Sequence, residues 1–153
     1  MKILVDADAL PGMVKELLFK AAERERINLI MVANKQLRTN GSAYISSQLV
    51  GAGPDAADDR IAELAEAGDL IITADIPLAD RVVSKGAVAL DPRGRFYSAA
   101  NVKDALALRN LMNELRSGGL ISGGPAGLSA KDRQVFANEL NSYLTRRLKK
   151  AGD

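Results

Sequence analysis

A chain of 153 residues with 47% hydrophobic and 26% charged residues has the size and composition of one soluble globular domain. It contains no histidine and no cysteine, which excludes a Ser-His-Asp triad, a thiolate nucleophile and the common structural zinc sites. The net charge of +2 is uneven: residues 1–100 carry 12 Lys/Arg against 14 Asp/Glu, and residues 101–153 carry 9 against 5, a basic C-terminal third that suits a phosphate-bearing substrate or an ordinary solvated helix face.

The absence of cysteine fits a reducing cytoplasm. The start reaches Asp6 too soon for a signal peptide, and no apolar run approaches the roughly 20 residues that span a bilayer. Three Tyr, three Phe and no Trp offer little for a platform that stacks unpaired bases.

Residues 2–6 read as a short strand, with Ile3-Leu4-Val5 apolar and not alternating, as in a parallel sheet covered on both faces. Pro11-Gly12 breaks the chain, and Val14, Leu17, Leu18 and Ala21 at helical spacing predict a helix over about 12–26. Ile27–Val32 reads as a second strand, completing a right-handed strand–helix–strand unit. A polar stretch from Asn34 to Ser42 precedes a weaker edge strand over Tyr44–Val50. Asp55 is placed to cap a helix over about 56–67, ended by Gly68, and Asp69–Thr73 is the clearest strand. Pro77 begins a short helix to about Lys85, followed by a fifth strand, Ala87–Leu90.

Beyond the turn Asp91-Pro92-Arg93-Gly94, helices take over. Val102, Leu106, Leu108, Leu111, Met112 and Leu115 describe one. Ser129 and Asp132 open another through a capping-box pattern, with Phe136, Leu140, Tyr143, Leu144 and Leu148 on one face. The expectation is a single domain over 1–150: a three-layer α/β/α sandwich, a mostly parallel sheet of about five strands, and C-terminal helices packed back on it.

The acidic residues collect where strands end: Asp6 and Asp8 after the first, Asp75 after the fourth, and Asp58 and Asp59 at the start of the helix between. Ligands of open α/β sheets bind at that edge, where strand order reverses, and the first and fourth strands commonly meet there. Carboxylates gathered so closely repel unless a cation neutralises them, and oxygen-only ligands suit Mg²⁺ or Mn²⁺. Taken singly, each has a plainer role: Asp8 could cap the helix after Pro11, Asp75 the helix at Pro77, and Asp58 could be an ordinary helix-start residue. Asp6, directly on a buried strand, is the hardest to explain without partners or a metal. Lys35, Arg38, Arg93, Lys131 and Arg133 are candidates for contacting a nucleic-acid backbone, with solvated charge as the plainer reading of each. Gly123-Gly124-Pro125, ahead of the last helix, could present backbone N–H groups to a phosphate or serve as a simple connector.

The segment ADDRIAEL at 57–64 followed by LIITAD at 70–75 resembles the helix-aspartate and T-x-D elements of PIN-domain nucleases. MKILVDADALPGMVKELLFKAAER, TADIPLAD, LDPRG and GGPAGLSAKDRQVFANEL resemble the YaiI/YqxD family of uncharacterised bacterial PIN-like proteins, from Met1 to about Leu144. The resemblance implies a parallel sheet with helices on both sides and a Mg²⁺/Mn²⁺-dependent phosphodiesterase site marked by Asp6, Asp58 and Asp75. PIN nucleases usually carry a further acidic residue, often a glutamate on an early helix, which has no clean match here; Asp8 or Asp59 could supply the charge. Relatives commonly have cysteine where this chain has Leu10, which argues against a required thiol.

Three functions follow as expectations. The first is a cytoplasmic metal-dependent nuclease or phosphodiesterase with Asp6, Asp8, Asp58 and Asp75 as catalytic carboxylates, Asp59 as a further ligand, and RNA favoured as substrate. The second is a noncatalytic RNA-binding or protein-interaction module on the same fold. The third is a small-molecule phosphatase using Asp6 as nucleophile and Asp8 as acid. Self-association is left open.

Overall fold

The structure, a computed structural model, describes residues 1–8, 10–123 and 127–152, the side chains of the last three apart. Five parallel strands and one antiparallel strand make a single sheet: β1 (Ile3–Asp6), β2 (Leu29–Ala33), β3 (Ile45–Leu49), β4 (Leu70–Ile72), β5 (Val88–Leu90) and β6 (Phe96–Tyr97), in the order β3-β2-β1-β4-β5-β6. The order reverses between β1 and β4, so these neighbours form the switch point.

Both faces of β1 and β4 are buried because their side chains alternate into two separate cores. Ile3, Val5, Leu70 and Ile72 point to one side, against α1 (Gly12–Glu25) and α5 (Ala130–Gly152). Leu4 and Ile71 point to the other, against α2 (Ala56–Leu64), α3 (Ile76–Val83) and the first turns of α4 (Val102–Ser117). The result is a three-layer α/β/α sandwich. Leu10, at the position discussed above, packs partly buried against the first core, so an apolar side chain suffices there.

Two sequence expectations need correction. β6 is a sixth strand where about five were expected and helices were expected to follow the Asp91–Gly94 turn: a two-residue strand is too short to show a period, and it forms because the β5 edge offers unpaired backbone groups. α4 was expected to bury an apolar face, yet only Val102 on it is fully buried, while Leu108 and Leu111 are at least half exposed. The helix docks by its first turns and then leaves the body of the sheet.

The start of α5 is fastened to the turn after β5. Ser129 and Asp132 form the reciprocal capping box, with Ser129 N–H donating to Asp132 Oδ2 (3.0 Å) and Asp132 N–H to Ser129 Oγ (3.1 Å). Those bonds from Ser129, with Arg93 nearby, hold the Asp132 carboxyl below its ordinary value. Arg93 Nη1 also donates to Asp132 at 2.8 Å, and Gly94, at φ +90, lies so close to Val135 and Phe136 that a Cβ would sit 2.6 Å from Val135 Cγ1.

Candidate functional site at the switch point

Parallel register places Val5 beside Ile72, so the residues that follow, Asp6 and Thr73, emerge as neighbours at the carboxyl edge of the sheet. Thr73 is buried and uses its hydroxyl twice. It donates to Asp6 Oδ2 at 2.9 Å and accepts the Asp75 N–H at 3.0 Å. One hydroxyl therefore fixes the rotamer of Asp6 and the backbone that carries Asp75. Asp75 in turn accepts the Leu78 N–H on Oδ1 at 3.0 Å and caps α3, leaving Oδ2 for other partners. The capping role considered for Asp75 is thus real, and it orients the carboxylate toward the strand ends.

Asp58 reaches the same place from the other direction. α2 packs on the face that carries Leu4 and Ile71, and its first turn brings Asp58 to within hydrogen-bonding reach of Asp75. Burial first, then the charges of Asp75, Asp6 and Asp55, push the Asp58 carboxyl up to about 6. Burial also raises the Asp6 carboxyl; the Thr73 hydrogen bond lowers it, and the Asp75 and Asp8 charges raise it further. Asp6, Asp58 and Asp75 share one field of mutual repulsion.

That repulsion carries a stability consequence. Because Asp58 binds its proton more tightly in the folded state, the folded chain gains protons relative to the unfolded one between the ordinary value of 3.8 and about 6. Stability present below that window is lost as pH rises through it. Asp58→Asn should therefore raise stability at neutral pH in EDTA by about 1 kcal/mol, after allowing for solvent screening of a part-exposed group. Urea unfolding of both proteins near pH 4 and near pH 7 checks this: the difference appears only at the higher pH.

Two expected ligands are drawn elsewhere. Asp59 is one residue, about 100°, further round α2 than Asp58, and its carboxylate meets Arg81 on α3 at 2.9 Å in an exposed ion pair. It has left the cluster. Asp8 does not cap α1, whose first residue follows Pro11 with no side-chain cap. Its two oxygens instead accept the Asn34 N–H at 2.9 and 3.2 Å, tying the loop after β1 to the end of β2. It stays close enough to Asp6 to raise that carboxyl. Asp55 occupies the N-cap position of α2 without a side-chain cap bond.

Among the described residues, no three acidic side chains form a ready-made cage for one ion. The donor chemistry nevertheless fits Mg²⁺ or Mn²⁺ in the way Mg²⁺ is usually held: one or two carboxylates, retained waters and the substrate's own phosphate. Asp6 and Asp75 have one oxygen each outside the bonds to Thr73 and Leu78, and Asp58 lies within hydrogen-bonding reach of Asp75.

Lys35 and Arg38 lie exposed in the loop after β2, and Lys131 and Arg133 on the first turn of α5. Arg93 is engaged with Asp132, so it serves the docking of α5. Gly123 has φ +78; Gly124 and Pro125 lie outside the described residues. The sequence reading missed Arg95, Arg109 and Arg116. With Arg93 and a single carboxylate, Asp91, they line an open groove of about 910 Å³ whose lining also includes Ala74 and Ile76, the neighbours of Asp75. The signal was the spacing of Arg109, Met112 and Arg116 on one face of α4.

Residues 4–146 match the family described as Uncharacterized BCR, YaiI/YqxD family. The chain belongs to this family. Among relatives, a protein called UPF0178 protein from Maridesulfovibrio salexigens is 55% identical over 148 residues, covering 97% of this chain and 98% of the relative. Its counterparts in Trichlorobacter lovleyi and Burkholderia ambifaria are 52% identical over 151 residues and 53% over 146, covering 99% and 95% of this chain and 98% and 97% of theirs. No solved structure matches the chain. No helix among the described residues is long and apolar enough to cross a membrane.

Proposed function

We propose that this YaiI/YqxD protein is a cytoplasmic, Mg²⁺- or Mn²⁺-dependent phosphodiesterase of PIN-like type acting on nucleic acid, with RNA the favoured substrate. The observation that carries the reading is the convergence of Asp6, Asp58 and Asp75 at the β1/β4 switch point, with Asp6 and the Asp75 backbone tied to one Thr73 hydroxyl and no ion pair to a Lys or Arg among the described residues. A structural role calls for paired carboxylates; here the charge of Asp75 disfavours ionisation of both Asp6 and Asp58, which is the arrangement expected of a site built for a cation.

A bound divalent ion would lower the pKa of an attacking water and offset charge on the phosphoryl group. Asp6 and Asp75, each with one oxygen fixed by a protein donor, would hold the ion. Asp58, beside Asp75, would orient the attacking water or receive its proton. Asp8 supplies negative charge at the edge from a second position. Lys35, Arg38, Lys131 and Arg133 lie at loops and a helix start, where they could attract a phosphate backbone.

The phosphatase reading is weaker on geometry. Asp6, its nucleophile, accepts a hydrogen bond from Thr73 on one oxygen, and Asp8, its acid, has both oxygens on the Asn34 N–H. The noncatalytic reading predicts nucleic-acid binding indifferent to divalent ions. The test is cleavage of a labelled RNA oligonucleotide with Mn²⁺ and with EDTA. Cleavage that requires Mn²⁺ and survives repurification supports the proposal; cleavage that persists in EDTA contradicts it.

A further inference from the structure

We propose that the groove between β6 and α4 binds a single-stranded stretch of nucleic acid and leads it to the carboxylates at the switch point. This rests on the phosphodiesterase reading for where the strand goes, and on the groove's own chemistry for what it binds.

Three features define the occupant. First, the groove carries two arginines, Arg109 and Arg116, that no carboxylate neutralises among the described residues, beside Arg93 paired with Asp132 and Arg95 facing Asp91. Arg109 donates to the Asn110 side chain at 3.0 Å, and Arg116 to the Gly123 carbonyl at 3.0 Å and the Asn113 side chain at 3.2 Å. Among the described residues neither guanidinium meets a carboxylate, and Arg95 has only a 3.6 Å pairing with Asp91. Guanidinium groups left this way complement phosphates, which they bind in a forked geometry. Second, the cations are strung out. Arg109 and Arg116 are seven residues apart on one face of α4, about 10 Å along its axis, which suits a chain of phosphates better than one. Third, the walls between them are apolar, with Phe96 and Met112 facing the same space. The Phe96 ring already packs on Tyr143 at 5.3 Å, so this wall offers unpaired bases apolar contact rather than an aromatic stacking platform, while the arginines take the phosphates.

Position supplies the direction. Ala74 and Ile76, which flank Asp75, are among the residues that line the groove. A strand lying along α4 therefore passes from Arg116 toward Arg109 and on to the acidic edge. An apolar wall beside the cations favours a strand whose bases are unpaired over a duplex, whose bases are stacked and paired away from it.

The experiment is fluorescence anisotropy of labelled oligo(U) in EDTA, which removes any dependence on the carboxylate site. Arg109 and Arg116 are both exposed, so Arg109→Ala/Arg116→Ala leaves the fold intact. The control is Arg146→Ala/Lys149→Ala, which removes equal charge toward the opposite edge of the sheet, where Arg147 bonds the Gly68 carbonyl. The expected result is at least about a tenfold loss of affinity in the groove variant, and a salt slope shallower by about 1.4. The control should change little, and the matching duplex should bind more weakly than the single strand. Equal losses in the two variants would overturn the proposal. So would equal binding of duplex, or a polyglutamate peptide that displaces the oligonucleotide as well as unlabelled oligo(U) does. A protein that cleaves nothing but loses oligo(U) in the groove variant would retain the groove and discard the phosphodiesterase. A protein that cleaves with Mn²⁺ while its groove variant binds normally would discard the groove alone.

Discussion

Asp6→Asn should lower Mn²⁺-dependent cleavage by at least about three orders of magnitude, roughly 4 kcal/mol of transition-state stabilisation, while leaving the fold in place. Asparagine keeps the shape of aspartate and an oxygen that can still accept the Thr73 hydroxyl, now at 2.9 Å from Asp6 Oδ2. What it loses is the charge at the end of β1, beside Asp75 and Asp8. In a site that works by holding a cation against phosphate, that charge cannot be replaced by a dipole of the same size. Relief of repulsion should also make the variant no less stable than the parent. Single-turnover cleavage and urea unfolding, run on one preparation, separate the two effects. A variant that loses activity because it unfolds would not test the site.

Phe136→Ala should destabilise the chain by about 4 kcal/mol, a large part of the 5–15 kcal/mol typical of a domain. The ring is wholly buried, with Leu140 and Leu144 from the same helix face, in the core beneath β1 and β4. Its removal leaves a cavity where α5 meets the sheet and the Gly94 turn. A drop in Tm of roughly 10 °C is expected for a chain of this length. Leu120→Ala is the comparison: that side chain is 74% exposed and should change stability by under about 0.5 kcal/mol. If the two substitutions cost the same, α5 is not part of the cooperative core.

Much of this architecture can be read from residue patterns because the pattern and the packing agree. The unbroken apolar runs of β1 and β4 require burial on both faces, which only a parallel sheet under two helical layers provides. The same logic places Asp6 and Asp75, since a charge at the end of such a run must sit at the sheet edge. Asp58 and Asp59 show the limit. Both stand in the first turn of α2, and only the docking angle of the helix decides which faces Asp75 and which faces Arg81. Asp8 shows another: its partner is a backbone N–H 26 residues away, which no local pattern announces. Arg109 and Arg116 share a helix face that spacing alone can show, but the groove depends on α4 and β6, a strand of two residues, lining the same space. Long-range approach is what sequence period cannot encode.

The most direct test of the central claim is calorimetric titration of Mn²⁺ into the wild type and Asp6→Asn, with and without a non-hydrolysable dinucleotide. The account predicts saturable binding to the wild type, tighter when the dinucleotide supplies its phosphate, and no such binding to the variant. Wild type and variant that take up Mn²⁺ equally, or a wild type that takes up none even with the dinucleotide present, would contradict it.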